Sequence, residues 1–419
     1  SSMGRCNLHY SLMYALIDCN NFYASCEQVF NPKLKNTPIV VLSNNDGCVI
    51  ARSKEAKLLD IPMGAPAFMY KNLFEQHKVL QLSSNFPLYG DMSNRVIETI
   101  RTFSLPTQIY SIDEVFISLP IKDPVKIAFM IRNKVLKWTG IEVSVGIGPT
   151  KTLSKVANKI AKKGKGVVQY HHNMLNSLKV EDIWGVGKRF SYKLKSFHIN
   201  YANQLVKMND TWIKKHFTIV GLRTVFELRG TPCLDFLEVA PSRKSIVSSQ
   251  SFGKATAFLE DLKEAIATYA AKGAKKMRKL GLKTHFILVF ITNKQRLTYS
   301  ANMYLPAATN YTPRLIDASH MLLLNLFSEN MQYKKGGVLF GELTSQVESQ
   351  IDAFSSVPNE KKLQSAIHVF DNINALYGAN KMIFASEGIK KKWKSASSKR
   401  SPRYTTNWND IPSINLDNK

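Results

Sequence analysis

The sequence predicts an α+β protein of several domains, in which two βαββαβ modules flank a helical module. At ~150 residues per domain, its length of 419 residues suggests about three domains. Hydrophobic residues make up 44% of the chain and charged residues 21%, as in an ordinary globular protein. The same order of strand and helix patterns occurs twice. A single small module and a wholly disordered chain are therefore excluded.

The first module opens with an apolar strand that runs from Leu12 to Asp18. A helix follows, and then a hairpin whose turn, Asn44–Gly47, is rich in residues that adopt the left-handed backbone conformation of tight turns. The ranges predicted for this stretch are a helix at 22–30, strands at 39–42 and 48–51, and a second helix at 53–59.

The rest of this module is predicted as a helix at 88–103, strands at 108–112 and 115–119, a helix at 124–137 and a strand at 142–147. With residues 22–85 set aside as an insertion, the order is βαββαβ, the ferredoxin-like arrangement. In that arrangement the third strand lies between the first two and runs antiparallel to the first. We therefore expect Asp18 to meet Asp113 and Glu114.

Helical patterns return at Lys151–Lys163 and continue to about Leu237. The stretch Pro241–Lys244 indicates a linker before the second βαββαβ module, which ends near Leu343. The polar tail carries one helical pattern at 361–377, and its segment 388–403 has seven Lys or Arg and no acid. We expect that segment to be an exposed arm. Residues 1–12 read as an extra N-terminal segment.

The charge balance points to a polyanionic partner. The 57 Lys and Arg against 31 Asp and Glu leave a net charge of +26, which favours nucleic acid and makes an anionic membrane surface a distant second. The longest apolar run, Phe286–Ile291, is far short of the ~20 residues of a membrane helix. Five widely spaced cysteines without a CxxC indicate neither a disulfide framework nor a zinc site, and a reducing cytoplasm fits them.

Three carboxylates are the candidate catalytic residues. Asp18 alone could be an ordinary helix cap, but Asp113 and Glu114 interrupt an apolar run, where burial without compensation is costly. Carboxylates that converge at one sheet edge repel each other unless cations lie between them, and hard oxygen ligands suit Mg²⁺. Two such ions would support in-line phosphoryl transfer, so nucleotidyl transfer is the leading chemistry.

A short helix that opens at Ser53 is a candidate phosphate site. It carries Lys54 and Lys57 on one face, and unpaired N–H groups at a helix N-terminus attract phosphate. In isolation, the segment is better explained as a capped, solvated helix with internal ion pairs.

Two basic features favour DNA as the partner. One is a helix whose lysines recur at helical spacing without an intervening acid: Lys151, Lys155, Lys159, Lys162 and Lys163. The other, Ile183–Lys188, is similar to a helix-hairpin-helix turn, in which Gly185 and Gly187 let backbone N–H groups approach phosphates and Lys188 and Arg189 add charge. A plain helix–helix turn remains the alternative.

Several motifs together resemble the Y-family translesion DNA polymerases, and the UmuC branch most of all. They are YALIDCNNFYASCE at 14–27, SNNDGCVIAR at 43–52, DMSNR at 91–95, YSIDE at 110–114 and SPRYTTNW at 401–408. The resemblance implies a right-hand fold with a ferredoxin-like palm. Its parts are the palm at 13–21 and 84–150, the fingers at 22–83, the helical thumb at 151–240, a linker at 241–245, the little finger at 246–345 and a tail at 346–419.

The resemblance also implies roles for single residues. Asp18, Asp113 and Glu114 would bind two Mg²⁺ ions, with the Cys19 carbonyl as a further ligand. The positions matched to triphosphate contacts are Lys57 and Lys162, with Ser53 and Lys54 beside them. Tyr23 would be the aromatic steric gate against ribonucleotides, with Phe22 next to it under the sugar. The implied substrates are a dNTP and primer-template DNA.

Partners follow from the resemblance as well. The tail peptide Gln350, Ile351, Asp352, Ala353, Phe354 is similar to a sliding-clamp motif, but Ala353 replaces a buried Leu worth roughly 1.5–3 kcal/mol, so clamp binding is expected to be weakened. A processed UmuD-type dimer and RecA are implied too. The competing hypotheses are a nucleotide cyclase, which needs no DNA-binding thumb, and a non-catalytic nucleic-acid-binding scaffold.

Overall fold

The computed structural model describes three stretches of the chain: residues 12–236, 243–345 and 360–411. These residues fall into two compact units. The first unit holds the described residues up to Leu42, those from Cys48 to 236 and those from Lys399 onward, and the second unit holds the remainder.

The first unit contains eight strands and nine α-helices within the described residues. In chain order they are β1 (Leu12–Cys19), α1 (Phe22–Phe30), β2 (Ile39–Leu42), β3 (Val49–Arg52), α2 (Lys54–Leu58), α3 (Lys71–Gln76), β4 (Leu80–Ser83), α4 (Phe86–Arg101), β5 (Thr107–Ile109), β6 (Glu114–Pro120), α5 (Pro124–Thr139), β7 (Val143–Gly148), α6 (Lys151–Ala161), β8 (Val167–Gln169), α7 (Lys188–Ser196), α8 (Ala202–Leu205) and α9 (Asp210–Leu228).

The central sheet of this unit has the order β5-β6-β1-β7-β8. Strand β6 lies between β1 and β5 and is antiparallel to both, and Asp18 pairs with Glu114 across the β1–β6 ladder. Alternate residues of the paired strands, such as Ile17 and Val115, are buried in the core beneath α4 and α5. The predicted ferredoxin-like order of the palm is thus confirmed.

Helix α6 and strand β8 extend the palm beyond the boundary that we expected at residue 150. Strand β8 pairs with β7 in parallel as a fifth strand. On α6, the Ser154 hydroxyl donates to the Tyr14 carbonyl at 2.9 Å, and the Asn158 amide donates to the Leu16 and Ser144 carbonyls at 3.2 and 2.8 Å. The small polar face of α6 therefore lies on the palm sheet.

The opposite face of α6 belongs to the helical module. Leu153 and Val156 are buried in the same core as residues of α7, α8 and α9, such as Leu194 and Leu228. The helix is shared by the palm and the thumb because its two faces carry different side chains. Helix α9 is interrupted at Thr218, whose φ is 63°.

Gly146 of β7 permits the close approach of α6. A Cβ atom at this position would lie 2.1 Å from the Asn158 amide nitrogen and 2.2 Å from the Ser154 carbonyl oxygen, and both atoms belong to the backbone. We expect Gly146→Ala to destabilise the first unit by about 3 kcal/mol, the upper part of the usual range for overpacking.

Gly90 in α4 provides the matched control, because a Cβ atom added there would have no neighbour within 4 Å. Gly90→Ala should leave stability unchanged or raise it by up to about 1 kcal/mol through helix propensity. Urea unfolding followed by far-ultraviolet circular dichroism compares the two variants. Equal midpoints for Gly146→Ala and the wild type would contradict the close packing of α6 on β7.

The fingers contain a three-stranded sheet of order β3-β2-β4. The predicted hairpin is confirmed, since β2 and β3 are antiparallel. Its turn takes its positive φ angles from Asn45 (62°) and Asp46 (50°), whereas Gly47 has a φ of −81°.

The second unit contains the second βαββαβ module and the tail helix. Its elements are β9 (Ile246–Thr256), α10 (Leu259–Lys279), β10 (Leu282–Asn293), β11 (Thr298–Thr309), α11 (Thr312–Leu324), β12 (Tyr333–Ser345) and α12 (Glu360–Leu376). The predicted element order is confirmed. The sheet order is β11-β10-β12-β9, so β10 and β12 form the central pair, unlike the equivalent strands of the palm.

The expectation of an exposed basic arm at 388–403 is corrected in one respect: most of these residues are exposed, but the segment is held by the burial of Trp393. Trp393 is only 3% exposed, and its ring contacts Phe252 and Tyr269. The Gly253 N–H also donates to the Trp393 carbonyl at 3.1 Å. The lysines around Trp393 obscured one large apolar side chain, and the burial of a ring of this size holds the segment in place.

Some predictions lie wholly or largely outside the described residues. They are the extra N-terminal segment, residues 241 and 242 of the linker, and the clamp-like peptide at 350–354. In the stretches that the structure does describe, helices long and apolar enough to cross a bilayer are absent.

Candidate active site

A cavity of about 810 Å³ opens in the first unit where β1 ends and α1 begins. It gathers most of the residues predicted to bind metal or nucleotide: Asp18, Cys19, Phe22, Tyr23, Lys54, Lys57, Asp113 and Lys162. The sheet order explains this, because it brings the end of β1 beside the β5–β6 turn, while the inserted fingers supply α1 and α2.

The three acids lie at one edge of the palm sheet, as expected. Asp18 is opposite Glu114, and the Cys19 N–H donates to the Asp113 carbonyl at 2.9 Å. Ser111 shapes the turn, since its hydroxyl donates to Asp113 Oδ1 at 2.6 Å and accepts from the Glu114 N–H at 3.1 Å. The chain bends here, so adjacent acids are not confined to opposite faces of a regular strand.

Two lysines of the α6 region neutralise two of these acids. Lys162 Nζ lies 2.7 Å from Asp18 Oδ2, and Lys155 Nζ lies 2.9 and 3.1 Å from the Glu114 carboxylate oxygens. Asp18 is 5% exposed. Its removal from water raises its pKa to about 6; Lys162 acts against this rise, and the negative charges of Glu114 and Asp113 add to it.

The acids have the oxygen chemistry of a hard-cation site but are not gathered around one point. Across the described stretches, no group of three or more His, Cys, Asp or Glu side chains has the spacing to hold a metal ion. The ammonium groups of Lys155 and Lys162 show that the buried acids already accept positive charge. The assignment of these acids as metal ligands therefore stays a prediction. Their oxygen atoms are donors of the type that Mg²⁺ prefers.

Tyr23 stands at the cavity wall in an aromatic stack. Its ring is stacked on Tyr89 with centroids 4.4 Å apart and planes 14° apart, and Phe86 meets it edge-on at 6.0 Å. Phe22 beside it is 4% exposed. These contacts fit both a gate held rigidly by its neighbours and a residue that anchors α1.

The phosphate site predicted on α2 is corrected at one residue. Ser53 is buried, its hydroxyl accepts from the Ala56 and Ile39 N–H groups at 3.3 and 3.0 Å, and it does not line the cavity. Its role is therefore to cap α2 and tie it to β2. Lys54 and Lys57 do line the cavity.

Arg52 was missed by the sequence analysis although it lines the cavity next to Lys54 and Lys57. Partial removal from water, and then the positive charges of Arg52 and Lys162, lower the pKa of Lys57. A dense cluster of cations at one wall suits a polyphosphate. The available signal was the position of Arg52 at the end of a strand, directly before the helix cap.

The predicted DNA-contacting face of α6 is wrong for Lys151. This residue is 4% exposed, and its ammonium donates to Gln108 Oε1 and to the Asp235 carbonyl, both at 2.5 Å. Lys155 is engaged by Glu114, and Lys159 lies 2.6 Å from Asp182. The helical spacing was right, but Lys151 and Lys155 are turned toward the protein, whereas Lys159 is exposed.

The glycine turn after residue 182 leads into α7, the second helix of the predicted helix-hairpin-helix. Gly185 has a φ of 90°, and Gly187 is the N-cap of α7, where an added Cβ would meet nothing within 4 Å. The preceding helix is only a 3-10 turn, Val180–Asp182. Lys188 and Arg189 are exposed beside the turn, so N–H groups and charges are both accessible.

Comparisons with solved structures define the fold class. A Y-family DNA polymerase chimera of Dbh and Dpo4 superposes with a TM-score of 0.66 at 20% identity, over 80% of this chain and 99% of that one. The architecture is therefore that of a Y-family DNA polymerase.

Sequence comparisons define the family. Models described as the impB/mucB/samB family and its C-terminal domain match residues 17–159 and 243–353, and a domain of unknown function matches 364–414. Protein UmuC of Salmonella typhimurium is 40% identical over 95% of this chain and 99% of its own length, and SamB of Salmonella typhimurium is 37% identical over 96% and 100%.

The chain belongs to the impB/mucB/samB family. The resemblance to the UmuC branch and the predicted translesion function are confirmed, and the cyclase and scaffold hypotheses are not favoured. The roles of the individual site residues stay predictions.

Proposed function

We propose that this chain copies damaged DNA by transferring dNMP units from dNTPs to a primer 3′ end, as an error-prone, DNA-directed DNA polymerase. The observation that carries the proposal is the cavity in which Asp18 and Asp113 face the cations of α2 and the ring of Tyr23. One wall has the charge to hold a triphosphate, another has the acids needed for phosphoryl transfer, and a third has an aromatic surface for a sugar.

Divalent cations complete the proposal. Asp18, Asp113 and Glu114, with the Cys19 carbonyl, would hold two Mg²⁺ ions, which would stabilise the attacking and leaving oxygens of an in-line phosphoryl transfer. The chain itself orients the triphosphate through Arg52, Lys54, Lys57 and Lys162, which line the same cavity. Since Lys162 pairs with Asp18 in the structure, nucleotide binding would draw this ammonium from the carboxylate to a phosphate.

DNA is held outside the cavity in this proposal. The Gly185–Gly187 turn offers backbone N–H groups and the charges of Lys188 and Arg189, a combination that binds phosphates without reading sequence. A sequence-independent grip is what a polymerase needs, because it must move along any template.

Further partners are proposed on the family resemblance. A UmuD-type processed dimer and RecA would act with this chain, and the peptide at 350–354 would contact a sliding clamp, weakened by Ala353. We place the protein in the cytoplasm, which fits the free thiols of Cys19, Cys26 and Cys233.

Primer extension by the full chain tests the function. The assay uses intact and abasic templates, Mg²⁺, all four dNTPs, and reactions with and without the proposed partners. Extension that depends on template and on Mg²⁺ is expected. Synthesis of a cyclic nucleotide from a triphosphate without DNA would instead favour the cyclase hypothesis.

The salt dependence of DNA binding tests the backbone grip. With 6–10 phosphates neutralised, affinity should fall about 10³- to 10⁵-fold between 50 and 200 mM salt and depend little on sequence. Lys188→Ala with Arg189→Ala should reduce the slope of log affinity against log salt by about 1 for each phosphate that the two side chains no longer neutralise.

Lys151→Met is the matched control for that measurement, since it removes an ammonium that is buried and already bonded to Asp235. Its salt slope should equal that of the wild type. Fluorescence anisotropy of a labelled primer-template gives both slopes. An affinity of the wild type that does not change with salt would contradict DNA binding through phosphates. A lower salt slope for Lys151→Met than for the wild type would show that Lys151 does contact DNA.

A further inference from the structure

The tail segment Lys399–Tyr404 is packed into the first unit next to the fingers. The Lys399 N–H donates to Ser83 Oγ at 3.0 Å, and the Ser83 N–H donates to the Lys399 carbonyl at 3.0 Å. At the other end, Tyr404 is stacked on Phe30 of α1, with centroids 4.9 Å and planes 9° apart. The segment is thus fixed at both ends.

Asn85 fixes the middle of the segment. This side chain is fully buried, and its amide group donates to the Ser401 carbonyl at 3.1 Å, to Ser401 Oγ at 2.9 Å and to the Pro402 carbonyl at 3.1 Å. Because Asn85 directly precedes α4, the tail is bonded to the start of the helix that carries Tyr89.

Ser401 reaches a buried carboxylate in α1. Its hydroxyl donates to Glu27 Oε1 at 3.0 Å, and the Tyr89 hydroxyl donates to the same oxygen at 2.7 Å. Glu27 is 2% exposed and Tyr89 is fully buried. Both bonds go to an acidic group in a low-dielectric site, where they are stronger and costlier to break than in water.

The series of contacts from the tail ends at the nucleotide cavity. Tyr89 is stacked face to face on Tyr23, with 4.4 Å between centroids. The Tyr89 ring has one edge fixed by Glu27 and one face against Tyr23, so a shift of Glu27 moves the surface on which Tyr23 rests. The Tyr23 ring in turn lines the cavity.

We propose that the tail segment holds the gate aromatic in position through Ser401, Glu27 and Tyr89, and thereby sharpens the choice between deoxyribonucleotides and ribonucleotides. Ser401, Glu27 and Tyr89 are positioning residues, because none of them lines the cavity. This inference rests on the proposed function, and it gives a role to part of the region matched by a domain of unknown function.

Hydrogen exchange of the full-length protein tests the connection without any catalysis. Ser401→Asp places a second carboxylate against Glu27, and like charges in a buried site repel strongly. Backbone exchange should become faster in peptides that cover α1 around Tyr23 and the first turns of α4. Faster exchange confined to residues 399–411 would overturn the proposal, because the tail would then be loosened without any effect at the gate.

Ser386→Asp is the matched control. Ser386 is exposed, and Ser386→Asp adds the same charge at a solvated position, so exchange in α1 and α4 should equal that of the wild type. Ser401→Ala, which removes only the hydroxyl, should give a smaller increase of exchange in α1 and α4. Ser401→Thr, which keeps a hydroxyl, should exchange as slowly as the wild type in these helices. These two variants keep the test valid if Ser401→Asp does not fold.

Single-turnover incorporation of dGTP and GTP tests the effect on selectivity. Ser401→Asp should raise the GTP-to-dGTP ratio about tenfold, since small misplacements in an active site cost up to about 10²-fold. A uniform loss of both rates would overturn the proposal and leave the tail a purely structural element. If the wild type extends no primer, the proposed function fails, and the exchange data alone decide whether the tail reaches the gate.

Discussion

Asp113→Ala and Glu114→Ala should each lower the rate of nucleotide incorporation by about 10³-fold or more while leaving primer-template affinity near the wild-type value. Loss of a single group that stabilises transition-state charge typically costs about 10²–10³-fold, and these acids would also hold the cations. DNA binding should survive, because the proposed grip on the backbone lies at the Gly185–Gly187 turn and not at these acids.

The decisive measurement is single-turnover extension combined with anisotropy on the same protein samples. Glu142→Ala is the matched control, since Glu142 lines the cavity as Asp113 does and pairs with Arg132 at 2.5 Å, but it is not a predicted metal ligand. That variant should retain activity within about tenfold of the wild type, an allowance of about 1.4 kcal/mol. Wild-type rates in either Asp113→Ala or Glu114→Ala would remove those acids from the chemistry.

Tyr23→Ala should increase the relative use of ribonucleotides about 10- to 200-fold, the range that one excess methylene produces in a close-fitting pocket. The ring lies at the cavity wall and is backed by Tyr89, so it cannot retreat from an added 2′-hydroxyl. Removing the ring opens that space without creating a new contact to the deoxyribose.

Tyr23→Phe is the control, because it keeps the ring and its stack and should keep the wild-type preference. The alternative, in which Tyr23 only anchors α1, predicts that Tyr23→Ala lowers the rates with dGTP and GTP equally and also lowers the melting temperature. The ratio of the two single-turnover rates separates these outcomes. An unchanged ratio in Tyr23→Ala would assign the residue to packing.

The sequence was sufficient to predict how the acids meet. An apolar strand that ends at Asp18 and an apolar run interrupted at Asp113 have few other arrangements in a βαββαβ sheet, because register is fixed wherever strands are buried. The Asp18–Glu114 pair followed from this order. The bend at Ser111 and the lysine partners depend on side-chain packing and could not be read from periodicity.

The errors have a common physical cause. Helical spacing shows which lysines of α6 share a face, but it does not show whether water or protein covers that face, so Lys151 was misplaced. The tail was misjudged because lysines surround Trp393, its one large buried apolar side chain, and because short polar side chains such as Ser401 form hydrogen bonds that leave no apolar pattern. Both features depend on contacts with residues more than 40 positions away in the sequence.

Helix α6 also determines where this protein could exchange parts with a relative. A junction at residue 150 would separate Ser154 and Asn158 from the carbonyls of β1 and β7 and would leave β8 to pair with a foreign strand. A junction after Gln169 would keep α6 with the palm but would separate Leu153 and Val156 from the thumb core that they share. The segments that must be exchanged together therefore differ from the palm and thumb ranges that the family resemblance implies.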